Sequence, residues 1–117
     1  MTTGQITLST TGLKSFNLGM QPTWVRFYVG QRTGTTEIIN HTSTGITDGI
    51  HQYCISTFTD ANGSTTKNSN KVVSHYERIG GIVEVLSATF DSFYTSGIKL
   101  NVTVANANYP VIIEFGN

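Results

Sequence analysis

Residues 98–104 read IKLNVTV, and their alternation decides the fold class. Ile98, Leu100, Val102 and Val104 fall on one side of an extended chain, and Lys99, Asn101 and Thr103 on the other. Successive side chains of a strand point to opposite faces, so this is a strand with one face inward. Residues 23–29, TWVRFYV, repeat the pattern with Val25, Phe27 and Val29 inward. No helical period of useful length competes with it. Further out, residues 71–79 and 82–90 flank Gly80-Gly81, a dipeptide suited to the positive φ angles of a tight hairpin turn. Residues 111–115, VIIEF, follow Pro110, which can start a strand but not sit within a sheet. Segments around 5–9, 13–18, 36–41 and 50–58 complete a set of about nine strands. Turn signals separate them at residues 9–12, 19–22, 30–34 and 42–49, and the polar run 60–70, DANGSTTKNSN, reads as an exposed loop. Short strands with a turn every 8–12 residues predict an all-β fold. The expected architecture is a single antiparallel β-sandwich or jelly-roll-like domain of about 8–9 strands over residues 1–117.

The bulk properties agree. A chain of 117 residues suits one domain with a real core. Seven basic residues balance seven acidic ones, which gives no electrostatic footprint for nucleic acid or an anionic membrane surface. Charged residues make up only 12%, about half the usual share. Hydroxyls and amides take their place, with Thr the commonest residue. The 38% hydrophobic fraction and the aromatic residues favour a folded β protein over a disordered polar chain. One cysteine cannot form an internal disulfide. No stretch approaches the roughly 18 apolar residues of a membrane span. The start, MTTGQITLST, lacks the basic and apolar regions of a signal peptide, so a protein either made and used inside a cell or released by lysis is expected.

Residues 45–60, GITDGIHQYCISTFTD, hold the raw material of a thiol or metal site. On a strand over 50–58, Ile50, Cys54 and Phe58 share one face, while His51, Tyr53 and Ile55 share the other. His51 and Cys54 therefore point to opposite sides and cannot form a nucleophile–base pair. His41 or His75 could partner Cys54, but spacing selects neither. A lone cysteine beside Ile and Phe reads as a small core residue. The three histidines lack the close pairing of a zinc site. Asp60-Ala61-Asn62-Gly63-Ser64 begins like a calcium loop, but the glycine comes two positions early and Lys71 stands where a bidentate Glu is needed. Three Asn-x-Ser/Thr matches, at Asn40, Asn62 and Asn101, are what chance yields in so Asn- and Thr-rich a chain. The carboxylates are scattered, and no phosphate loop or nucleophile elbow is present. The expectation is a protein without enzymatic activity, metal or cofactor.

One feature exceeds this background. The outward face of the 23–29 strand carries Trp24, Arg26 and Tyr28, the residue types enriched at binding hot spots because they bury large area and keep a polar handle. A subunit interface or a ligand platform would each use such a face. The alternative is a strand buried on both sides, with Trp24 in a second layer of core.

The run STTGLKSFNLGMQPTWVRFYVG is a polar strand, a hydrophobic–Gly–x–x–Pro step and an aromatic strand. It resembles a recurrent β-sandwich unit of tailed-bacteriophage and prophage virion proteins. The resemblance continues through DGIHQYCISTF, the polar loop, VLSATFDSFYTSGIKLNVT and the terminal strand Tyr109–Phe115. It implies a head decoration, neck, tail or fibre component that contacts other virion proteins and itself as a homo-oligomer. A weaker similarity, to the H-type lectin domain, implies a sugar site for host-surface recognition. Asp48, His51, Asp60 and Asn62, on or beside the loops 42–49 and 60–70, are the side chains such a site would use. Neither resemblance assigns an individual binding residue.

Overall fold

The computed structural model describes residues 1–30, 40–60, 63–78 and 81–117. Within them lie ten strands: β1 (Thr2–Leu8), β2 (Gly12–Asn17), β3 (Trp24–Val29), β4 (Asn40–Thr47), β5 (Gln52–Asp60), β6 (Gly63–Ser69), β7 (Val73–Arg78), β8 (Ile82–Tyr94), β9 (Gly97–Ala105) and β10 (Tyr109–Gly116). They form two antiparallel sheets, one of six strands in the order β1-β10-β3-β4-β5-β6 and one of four in the order β2-β9-β8-β7. The expected all-β sandwich is the observed fold. β1 pairs with β10 and β2 with β9, so the two ends of the chain wrap together as in a jelly roll, while β3 to β6 and β7 to β9 run as meanders.

The strands read from apolar alternation stand where the pattern puts them. Val25, Phe27 and Val29 of β3, Val111, Ile113 and Phe115 of β10, and Ile98, Leu100 and Val102 of β9 all turn inward. With Ile6, Leu8, Leu86 and Ala88 they make one continuous core. Burying each such large side chain contributes about 1.5–3 kcal/mol.

Two expected loops are strands. The 42–49 turn is mostly β4, and the run 60–70 is mostly β6. The expected strand at 36–41 meets the described residues only at 40–41, where β4 begins, and Gly80 of the expected turn lies outside them. The expected strand at 50–58 starts at Gln52, so Ile50 does not share a face with Cys54 and is instead exposed in the β4–β5 turn. β4 escapes notice because its inward residues are His41, Ser43, Gly45 and Thr47, with Ile46 outward. β6 escapes because it is an exposed edge of polar residues. Apolar periodicity cannot register a strand whose buried side is polar.

The polar side of β4 and β5 has a partner. β7 is the edge of the four-stranded sheet, and β4 and β5 of the other sheet cross it. Gly45 lies so close that a Cβ there would sit 1.6 Å from the Val72 carbonyl oxygen. The Ser74 carbonyl accepts from Ser56 Oγ, and the Tyr76 carbonyl accepts from His41 Nδ1. Side chains of one sheet thereby satisfy edge carbonyls of the other, which burial would otherwise leave at a cost.

Candidate functional site

The outer face of the six-stranded sheet is the first candidate. Pleat and register place Trp24, Arg26 and Tyr28 on it, so β3 is not buried on both sides: Arg26 is exposed and the two aromatics half-buried. The guanidinium of Arg26 lies 5.4 Å from the Trp24 ring centroid, within cation–π range. Tyr28 donates its hydroxyl proton to Glu114 on β10, the residue paired with Arg26. That hydrogen bond, then burial and the carboxylate charge, hold the phenol above its ordinary titration range.

These three residues do not stand alone. In register across the sheet run Gln5, Ile112, Tyr28, Thr44, Ile55 and Asn68, and beside them Thr3, Glu114, Arg26, Ile46 and Tyr53. Ile46, Tyr53, Ile55 and Ile112 are 41–44% exposed, which makes a broad apolar and aromatic surface open to solvent. The outward positions of β2 and β9 in the four-stranded sheet differ: Ser15, Lys99, Asn101 and Thr103 are polar and Leu13 is apolar, and on β8 Val83 is exposed by itself. A clustered apolar face of this kind is the signature of a contact surface.

The second candidate is the β4–β5 turn. Asp48 Oδ1 accepts from the backbone N–H groups of Ile50 (2.9 Å) and His51 (2.7 Å), and Oδ2 lies 3.1 Å from His51 Nδ1. The backbone N–H groups of His51 and Ile50, then the His51 ring, hold the Asp48 carboxyl well below the usual carboxylate range. Thr47 Oγ1 donates to the His51 carbonyl at 2.9 Å, and Gly49 takes φ +90° inside the turn. Asp48 thus holds its own loop, while His51 stays exposed beside a small cleft of about 110 Å³ lined also by Ile46, Gln52 and Tyr53. The other two loop residues do not join them. Asp60 ends β5 in register with Gly63, at the far end of that strand from this turn, and Asn62 lies outside the described residues.

A third cluster was not legible in the sequence. His41 and His75, far apart in the chain, stack at 4.7 Å between the sheets, with the Tyr109 ring edge-on to His75 at 6.4 Å. Ser43 Oγ and His75 Nδ1 share a 2.6 Å hydrogen bond, and Tyr109 donates to the buried Glu77 carboxylate at 3.1 Å. A hydroxyl beside an imidazole is the start of a nucleophile–base pair. Here Ser43 is 3% and His75 0% exposed, so the pair is closed to any substrate. Among the described residues no group of three or more His, Cys, Asp or Glu is placed to hold a metal ion. Cys54 lies inward next to Ser56, and burial pushes its thiol up, away from the reactive thiolate.

No family model, no curated protein and no solved structure matches the chain.

Proposed function

We propose that this protein is a non-enzymatic structural component of a bacteriophage particle, working through protein–protein contacts on the outer face of its six-stranded sheet. It would be assembled in the host cytoplasm into a head, neck, tail or fibre. One observation carries the reading: Ile46, Tyr53, Ile55 and Ile112 are exposed together beside Trp24, Arg26 and Tyr28. Sheet faces of this kind are stable in water when a partner covers them. The likeness to virion β-sandwich units at STTGLKSFNLGMQPTWVRFYVG and VLSATFDSFYTSGIKLNVT supports the particle as the setting. Immunogold electron microscopy with antibody to this chain, on particles from a culture producing the phage, tests it. Gold on particles is expected, and unlabelled particles from a culture that makes the protein would overturn the reading.

A carbohydrate-binding role is the second reading, favoured by the β4–β5 cleft. Tyr53 offers a ring face on which a sugar could stack, with His51 and Gln52 beside it. Loss of glycan-array signal in Tyr53→Ala is its expected outcome, and an array silent with wild-type protein disposes of it.

A further inference from the structure

The outer row of the six-stranded sheet reads almost the same in both directions. From β1 to β6 it runs Gln5, Ile112, Tyr28, Thr44, Ile55, Asn68: amide, isoleucine, hydroxyl, hydroxyl, isoleucine, amide. Its centre falls between β3 and β4, which is also the centre of the strand order. We propose that two copies of this chain pack face to face through this surface, about a two-fold axis lying between β3 and β4 and running along the strands. The inference rests on the reading of this face as an assembly interface and names its occupant as a second copy.

The geometry follows from the strand order alone. Rotation about that axis lays β4 over the second copy's β3, β5 over its β10 and β6 over its β1. Ile55 then meets Ile112 of the other copy twice, Thr44 meets Tyr28, and Asn68 meets Gln5. In the neighbouring row Tyr53 comes over Glu114, a carboxylate able to accept from its phenol. An isologous contact requires this self-complementarity, since each residue must suit its symmetry mate's surroundings.

Charge and area agree with it. Among the described residues, the outward strand positions of this face carry one cation, Arg26, and one anion, Glu114, side by side in the register. The face is neutral, and the chain has no net charge, so two copies meet without repulsion. Six strands spaced about 4.8 Å, with three outward residues each at about 6.8 Å, present roughly 600 Å² per copy. Two such faces reach the lower end of stable interfaces, about 1,200 Å² in total.

Two measurements test the pairing. Light scattering should find a wild-type dimer, and Ile55→Asp should be monomeric at the same concentration, its dissociation constant raised about 100-fold or more. The second uses a short bis-maleimide on variants with one added cysteine, with wild type as the control for the sealed Cys54. Ile55→Cys mixed with Ile112→Cys should cross-link, because those positions face one another across the axis. Either variant alone should not, because like positions lie three strand spacings apart, about 14 Å sideways. Circular dichroism and melting temperature establish that each variant folds, and the cysteine pair carries the test should Ile55→Asp fail to. A wild-type monomer at every concentration overturns the proposal; gold-labelled particles would then leave the assembly reading standing with a different subunit on the face. A dimer that survives Ile55→Asp, or that cross-links through one variant alone, overturns the two-fold.

Discussion

The interior of this sandwich has two halves that are held by different forces. Where β1, β3 and β10 face β8 and β9, contact is apolar and close-packed, through Phe27, Leu100, Val102, Val111 and Ile113. Where β4 and β5 cross β7, the same interlayer space holds His41, Ser43, Ser56, His75 and Glu77. The difference lies in what each half meets. The apolar half meets a sheet face, which presents side chains. The polar half meets a sheet edge, which presents carbonyls that need donors. A β-bulge between His75 and Tyr76 sits at this edge, where such irregularities redirect side chains.

Substitutions on the two sides sharpen the contrast. Phe27→Ala leaves a cavity in the apolar half and should cost about 3–5 kcal/mol in chemical denaturation, the largest effect expected. Gly45→Ala places a methyl group into the Val72 carbonyl, which backbone movement alone can relieve. A loss of about 2–3 kcal/mol is expected, and a neutral outcome would break the close approach of β4 to β7. Ser56→Ala deletes a donor to the Ser74 carbonyl and should cost about 1–2 kcal/mol. If it cost as little as a surface change, hydrogen bonding would not be what holds the polar half.

The smallest effect belongs to the β4–β5 turn, outside both halves. Asp48 is depressed in the folded state by the backbone N–H groups of His51 and Ile50. Its stabilising contribution is therefore complete above the ordinary carboxylate value, about 3.9, and is lost as pH falls below it toward the folded value. Melting temperature followed from about pH 5 to about pH 2 should fall less steeply in Asp48→Asn than in wild type. Equal slopes would mean that the turn does not depend on the charged carboxylate.

The candidate sites were legible to different degrees. Trp24, Arg26 and Tyr28 could be read as one face because they lie two residues apart on one strand, and a strand's period is local. Their neighbours on that face, Ile46, Tyr53, Ile55 and Ile112, come from three other strands that only register brings alongside. Asp48 and His51 are close in sequence and close in space, but the structure spends Asp48 on its own turn. Cys54 stands inward, as its apolar neighbours implied.

By itself the sequence determined the fold class, the strands wherever Val, Ile and Phe alternate with polar residues, and the inward set of β3, β9 and β10. Each is a local consequence of pleat and hydrophobic burial. Tertiary structure alone decided that β4 and β6 are strands, that His41 stacks on His75, and that the outer row is nearly palindromic. These depend on which strand lies beside which, and on an edge carbonyl of β7 selecting its donor from a strand more than thirty residues away in the chain. Pairing between distant segments leaves no period in either one.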